Sequence, residues 1–456
     1  MCKLRAVTGK THIMRQTERL KRGEINRRRF IMSALATGVT LPTATSLAQK
    51  AQAAQPKSGG VLRIGVASAD RLADMQALAT GNTLLEVTPD GALIGELAAS
   101  FTATRAAQSW VFDLRSDVTF ADGTPFDASH VIATLNATET PGLRGQIKAI
   151  RAERPDRVLI DLIRPNADFA WVLSDPALTI RAPSGAGTGV YLPRTEAGSP
   201  HARLHKRSDP WKIGRGHFEA VDLIPLPKPA ARLTALLNDE VDLIEDVDPG
   251  MFALLAHSSE INVVENQAAA LYGFARSHTA SPDIGRALND MTDRRDLAHK
   301  VLLGHGHARG SASKGPRPQT QTIRLAPPKD GFPGGQEMVS LVTQMGEKQG
   351  HTLRIDPYAP DLIAARQRLR PTFDWTLAEI LAQHHDSQLE TMIWQMRAAK
   401  NASEKAALQD QALNHLEDLG HVYPLIANDI HAHRAHLTTP QGTFDPLRIA
   451  ERGWFA

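Results

Sequence analysis

Residues 110–131 read WVFDLRSDVTFADGTPFDASHV. Trp110, Phe112 and Leu114 alternate with Val111, Asp113 and Arg115, the period of two that sends successive side chains to opposite faces of a strand. Asp122-Gly123 is a strong tight-turn signal, because glycine takes positive φ without steric cost. Asp127 stands where an N-cap is needed for a helix over 128–138, whose apolar stripe is Val131, Ile132 and Leu135. The stretch therefore predicts strand, turn, strand and capped helix: rigid scaffold, with no catalytic pattern in it.

Outward from this block the same reading predicts strands at 61–67 (VLRIGVA), 157–163 (RVLIDLI), 217–226 (HFEAVDLIPL) and 269–275 (AALYGFA). GAGTGVYL (185–192) is a glycine-rich turn into a strand. Helix then strand is predicted over 231–246 and again over 341–356. Residues 284–304 read as one long helix closed by Gly304, and 403–420 as an amphipathic helix stopping at Gly420 before the strand-like VYPLIAN. Residues 305–335, rich in Gly, Pro, Ser and Lys, read as a long surface loop. The whole is mixed α/β, with parallel and antiparallel pairing intermixed.

The chain has 456 residues, enough for two or three packed domains. Its formal charge of +3 is unevenly spread. Residues 1–53 hold eleven Lys and Arg against two acids, leaving 41 against 47 in the remainder. The basic balance belongs to this leader, and a nucleic-acid partner loses its electrostatic support. The leader has a basic region ending in NRRRFIM (26–32), a diluted apolar run from Phe30 to about Ala48, and the small-residue motif AQA at 51–53. Arg27-Arg28-Arg29-Phe30-Ile31 resembles a twin-arginine export motif. A signal peptide over 1–53 is expected, cleaved near Ala53–Ala54, with Met1 or Met14 as the start. Cys2 is the only cysteine, so the mature chain is expected to carry no disulfide, no thiolate nucleophile and no lipid-anchoring cysteine. Free periplasmic localisation follows.

Several ordered blocks resemble the extracytoplasmic solute-binding proteins of ABC importers, the class that captures oligopeptides, dipeptides and nickel chelates (family 5). They are Gly59-Gly60-Val61-Leu62-Arg63, Leu97-Ala98-Ala99-Ser100-Phe101, Trp110 to Arg115, Val118 to Phe126 with Ala128 and Val131, and Gly187-Thr188-Gly189-Val190-Tyr191. Ser208-Asp209-Pro210-Trp211, Glu240 to Ile244, Arg286-Ala287-Leu288 and Asp293-Arg294 complete the set. The resemblance is continuous over 58–305 and returns more weakly at 403–437. It implies a two-lobed periplasmic-binding-protein clamshell with mixed sheets and an extra subdomain in the first lobe. Lobe I would comprise 54–84, 182–265 and 429–456, the subdomain 85–181, and a shortened lobe II 266–428. It also implies a monomer that closes on a small peptide-like solute and hands it to ABC permease subunits in the inner membrane. No cofactor, metal or catalytic residue is expected. The chain departs from the pattern after Phe373-Asp374-Trp375, where LAEILAQHHDSQLETM replaces an aromatic, Asp-rich segment, and at Ala275, where asparagine is usual.

For the ligand the family layout points to Ser68 and Asp70 after the first strand, Tyr272, Phe274 and Arg276 on a crossing strand, and Asp374 and Trp375 in the second lobe. Aromatics would pack on the solute, Asp70 or Asp374 would pair with an amine, and Arg276 with a carboxylate. Other constellations are weaker. The glycines at 185, 187 and 189 precede Val190-Tyr191-Leu192-Pro193, not a helix start, which argues against a nucleotide site. His305/His307, His384-His385 and His431/His433 with His436 allow a metal-chelate role, although surface loops account for most such pairs. Asp242, Glu245, Asp246 and Asp248 read as a solvated turn. A secreted hydrolase is the alternative of another class, but neither Gly-x-Ser-x-Gly nor His-Glu-x-x-His occurs.

Overall fold

The computed structural model describes residues 27–36, 56–143, 145–194, 201–310, 322–329, 331–384, 386–399, 401–440 and 442–456. Of the leader only Arg27–Ala36 falls among them, as a helix in which Phe30 and Ala34, one turn apart, are buried. The rest of the leader, and with it the cleavage site, lies outside the described residues.

The chain opens with β1 (Val61–Val66) and α1 (Ala69–Thr80). It then builds a four-stranded antiparallel sheet from Ala98–Thr104, Ser109–Leu114, Arg157–Leu162 and Ile147–Arg154, with α2 (Ala128–Ala137) packed on it. The opening stretch behaves as read. Trp110, Phe112 and Leu114 face this sheet's core, Gly123 takes φ +85° in the turn, and Asp127 caps α2 through Ser129 N–H at 2.9 Å. The predicted second strand is reduced to a bridge between Thr119 and Pro125.

The chain returns to the main sheet with β2 (Tyr191–Arg194), β3 (Ala202–Lys206), β4 (Ala220–Pro225), α3 (Pro229–Leu237) and β5 (Leu243–Ile244). β6 (Ile261–Arg276) follows, then α4 (Pro282–Met291), α5 (Arg294–Leu302) and β7 (Gly306–Ala308). β8 (Thr322–Ala326), α6 (Gly335–Lys348), β9 (Thr352–Ile355) and β10 (Leu362–Arg368) come next. Helices α7 (Phe373–His384), α8 (Ser387–Ala398) and α9 (Ala402–Asp418) lead into β11 (Val422–Arg434). The strands pair in the order β9-β8-β10-β6-β11-β5-β1-β4-β3-β2, with β7 on β11. β1 runs parallel to β4 and β5, and β8 parallel to β9 and β10; the other pairs are antiparallel.

This one mixed sheet serves both halves of a two-lobed clamshell. α1 covers the first half on one face, with Leu62, Ile64, Met75 and Tyr191 in that core, and α3 covers the other. In the second half, α4, α5 and α6 enclose Tyr272, Phe274 and Leu325, while α7, α8 and α9 enclose Leu271, Leu377 and Leu416 on the opposite face. Leu271 and Tyr272 thus enter different cores, as the alternation of a strand demands. β6 and β11 are the long strands common to both halves. Their ladder is broken between Asn266 and Ala270, where Ala268 sits at φ +49° and Asn428 Oδ1 accepts its N–H at 2.9 Å. Gly273 is required on β6, since any Cβ there would overlap the Val422 carbonyl.

Two sequence expectations are corrected. The single helix over 284–304 is two, because Asp293 accepts hydrogen bonds from Arg295 and Asp296 N–H, both at 3.0 Å, and starts α5 afresh. The long surface loop over 305–335 contains β7 and β8, and Ile323 and Leu325 of β8 are fully buried. Two apolar residues at a spacing of two bind this segment to the core despite its turn-rich composition.

Candidate functional site

The C-terminal ends of β1 and β5 and the start of α1 face the end of β10 across the break in β6 and β11, the position where α/β sheets place ligands. Ser68 caps α1 by accepting the Arg71 N–H at 3.3 Å, which fixes the first turn of α1. Arg71 then pairs with Glu245 at 2.7 Å, and the other oxygen of Glu245 accepts Ala67 N–H at 3.0 Å. Arg232 is buried and gives its guanidinium to the carbonyls of Leu226, Pro227, Glu245 and Asp246, at 2.7 to 3.1 Å. It clamps the turn after β5 so that Asp246 is held at φ +53°, a left-handed conformation that is costly without such support.

From that turn Asp246 reaches the second half. Its Oδ2 accepts from Arg366 at 2.8 Å and its Oδ1 from Arg368 at 2.6 Å, while Arg368 also pairs with Asp429 on β11. Burial alone would raise the Asp246 carboxyl, but Arg366 and Arg368 hold it well below the usual range. Burial disfavours charge on both guanidiniums, and Asp246 more than restores it. Arg366, Arg368 and Arg370 stand at i, i+2 and i+4, so extended chain brings all three to one side. Arg370 pairs with Glu379 at 2.6 Å and lies over the Trp375 ring at 5.1 Å.

Asp74, one turn after Asp70 on α1, is partly buried in the field of Arg71, Asp175, Arg370 and Asp70, with burial the dominant influence. Its carboxyl is pushed up to about 6. Asp175 is 5% exposed and is also raised by burial, despite accepting Ala177 N–H at 2.9 Å.

The residues expected from the sequence fall into different surroundings. Tyr272 is buried against Phe332, with ring centres 4.7 Å apart, and shares the electrostatic surroundings of Arg366, Asp246, Asp429 and Arg368. Asp70 is exposed in the first turn of α1. Phe274 lies in the second-half core. Arg276 donates to the carbonyls of Leu419 and Ala280, both at 2.6 Å, and so ties the end of β6 to the turn after α9. Asp374 pairs with Arg397 at 3.0 Å, both buried. Trp375 crosses into the 85–181 segment and sits in its core, where its ring lies 2.6 Å from the point a Cβ on Gly142 would occupy. The Arg164 guanidinium over Trp394 at 5.1 Å and the ion pair of Lys405 with Asp168 extend this contact. Cavities of about 280 and 290 Å³ lie at the same junction, the second bounded by Asp168, Trp171, Phe373, Lys405 and Gln409.

Of the acids flanking β5, Asp242, Glu245 and Asp246 are not a solvated turn, being each under 5% exposed and paired with arginine, whereas Asp248 is partly exposed and accepts Gly250 N–H at 2.9 Å. His307 lies on β7 rather than in a loop, while His305 sits in the bend just before it and pairs with Glu265 at 3.0 Å. His431 and His433 flank the Phe444 ring at 5.3 and 6.0 Å. His384-His385 lie outside the described side chains. Among the described residues, Glu86, Glu96 and Glu451 alone have metal-ligand spacing. Lys212 Nζ already lies among them, 2.9 Å from Glu451 and 3.3 Å from Glu86, with Glu96 also in contact.

Alternation in RQRLR (366–370) was the available signal for the arginine row. Asp246, shared by Arg366 and Arg368, stands 120 residues before Arg366 in sequence, which no local pattern discloses.

No helix among the described residues is long and apolar enough to cross a membrane. At 23% identity over 255 residues, 49% of this chain and 48% of the relative, the sequence is similar to the "Probable D,D-dipeptide-binding periplasmic protein DdpA" of Escherichia coli K12. It is likewise similar to the glutathione-binding protein GsiB of Salmonella paratyphi A, 23% identical over 232 residues, 46% of this chain and 45% of that one. The chain thus spans about half the length of the curated relatives it matches. The fold superimposes on the dipeptide-binding protein of Pseudoalteromonas sp. SM9913 in complex with Met-Leu with a TM-score of 0.76 at 15% identity, covering 87% of this chain and all of that one. Residues 92–362, more than half of the sequence, match the family model for this fold, and the chain belongs to the bacterial extracellular solute-binding proteins, family 5.

Proposed function

We propose that this protein is the periplasmic substrate-binding component of an ABC import system, capturing a small peptide or peptide-like solute between its halves and delivering it to the membrane permease. The observation that carries this reading is the pairing of Asp246 with Arg366 and Arg368 beside the break in β6 and β11, where a solute cleft would lie. Groups from opposite halves meet there, on two strands that accommodate rotation where their ladder is interrupted. The solute is bound and released unchanged. The working state is a monomer, exported by the twin-arginine route, cleaved near Ala53–Ala54 and free of a lipid anchor. Residues 54–84, 182–265 and 429–456 form one moving body and 266–428 the other, with 85–181 attached to the first. Ser68 and Tyr272 remain candidates for the cleft wall, joined by Arg71, Asp74, Arg366, Arg368 and Arg370.

Native mass spectrometry of protein purified from the periplasm, followed by calorimetry with the solute identified, tests the assignment. A stoichiometric peptide-like solute with X-ray scattering that contracts on rebinding is expected. Turnover of the solute, or a mature product retained in the cytosol, overturns it.

A further inference from the structure

We propose that the pivot between the halves is Gln267 and Ala268 of β6 with Asn428 of β11, and that Asn428 acts there as a detent. Its side chain holds Ala268 in a left-handed conformation that belongs to the joined arrangement of the halves. It thereby sets how readily they close, without touching the solute. The inference rests on the solute-binding reading above and names a positioning residue for that site.

Hydrogen bonding narrows the pivot to a few residues. Asn266 belongs with the first half: it stands opposite Asp429, its Nδ2 donates to the Phe444 carbonyl at 2.7 Å, and its Oδ1 accepts Phe444 N–H at 3.2 Å. Ala269 belongs with the second, since its carbonyl accepts Leu369 N–H at 2.8 Å. Ala270 is paired there with Ala427 on one side and Arg368 on the other. Between the Asn266–Asp429 and Ala270–Ala427 pairs, three residues of β6 stand against the single Asn428 of β11. This is a bulge with chain to spare for a rotation. Gln267 and Ala268 are exposed, so packing does little to fix their backbone.

Asn428 fixes it instead. Its Oδ1 accepts Ala268 N–H at 2.9 Å, its Nδ2 donates to Glu265 Oε1 at 2.5 Å, and its backbone N–H donates to the His305 carbonyl at 3.1 Å. The amide is placed this way round because a backbone N–H can only donate. His305 Nδ1 lies 3.0 Å from the same oxygen of Glu265, and the His305 ring packs on Phe252 of the first half at 4.3 Å. One side chain thus joins Glu265, which ends the first half's share of β6, to the bulge itself. At φ +49° Ala268 carries a steric cost that glycine would not, and the bond from Asn428 offsets it. Drawing the bulge out to extended backbone relieves that cost and gives up the bond. The two nearly cancel, so changing either one shifts the balance between open and closed.

The test measures the separation of the halves by electron paramagnetic resonance on the mature, solute-free protein. Cys2 of the leader is the only cysteine, so spin labels at Ser259→Cys and Ser340→Cys, both exposed and one on each half, are specific. Against this labelled parent, Asn428→Ala is expected to lower the ratio of short to long separations by about fivefold, and Ala268→Gly to raise it by about fivefold. The two together should return the ratio to within about twofold of the parent, because glycine needs no support at positive φ. A hinge that was merely loosened would move both single variants the same way. Shifts in one direction, no shift in either variant, or failure of Ala268→Gly to rescue Asn428→Ala overturns the detent. Should Asn428→Ala not fold, Ala268→Gly decides alone, and no gain in short separations overturns it. No solute enters the measurement, so this result and the solute-binding reading can fail independently.

Discussion

Two ionic clusters among the described residues, one buried and one partly buried, have similar make-up and different reach. One joins Glu86, Glu96 and Glu451 to Lys212, Arg448 and Arg452, all at most 9% exposed, and ties the 85–96 segment to the C-terminal residues. Glu96 alone accepts from Asn82, Thr83, Lys212 and Arg448. The other joins Asp246 and Asp429 to Arg366 and Arg368. In the two-body reading proposed, every member of the first falls in one body, and the cluster would stay assembled as the bodies move. In the same reading the second has Asp246 on one body and Arg366 and Arg368 on the other, so opening would take it apart. Paired buried charge is a stitch in one place and a latch in the other; the difference is set by which bodies the partners belong to.

Variants separate these roles. Glu96→Gln should cost the most, about 4 kcal/mol in chemical denaturation, because Lys212 and Arg448 stay buried with an incomplete set of counter-charges. Trp375→Ala should cost about 3 kcal/mol, since it empties a site in the core of the 85–181 segment. Its scattering profile should also expand if that contact helps to hold the halves together. Asp246→Asn should cost only about 2 kcal/mol, because opening lets Arg366 and Arg368 rehydrate. A loss as large as that of Glu96→Gln would mean that the cleft network is structural after all.

The two regions should also answer pH with opposite signs. Glu96 is held down to about 2 by Arg448 and Lys212 against the upward push of burial. Its contribution is complete above the ordinary carboxylate value and is lost as pH falls toward 2. Asp74 is raised to about 6, so protonation favours the folded state and stability declines as pH rises from about 4 through 6. Asp74→Asn should remove about 1 kcal/mol of that decline, allowing for solvent screening at this partly buried site, as read from denaturation midpoints at pH 4 and pH 7. Lys405→Ala should have the smallest effect, under about 0.5 kcal/mol, because its pair with Asp168 is partly solvated.

Local signals in the sequence were enough for much of the scaffold. The alternation at 110–114, the turn at Gly123 and the cap at Asp127 each depend on neighbours within a few residues. The break at Asp293 was legible in principle as an N-cap, but the continuous apolar period across 284–304 outweighed it. The cleft was harder to read because its meaning is relational. Asp246 resembles any acid in a turn until Arg366 and Arg368 are brought to it, and Asp70 and Asp74 differ only by one helical turn. Trp375 lies in the segment where the family layout placed the ligand, yet it packs into the interior of another part of the chain.

That placement bears on how the second half stays folded. The helix carrying Trp375 completes its hydrophobic environment with side chains grown from a separate stretch of sequence. Deleting 85–181 would therefore strip an aromatic anchor from a region it never encodes, and the truncated remainder should expose a sticky patch rather than behave as a smaller binding protein.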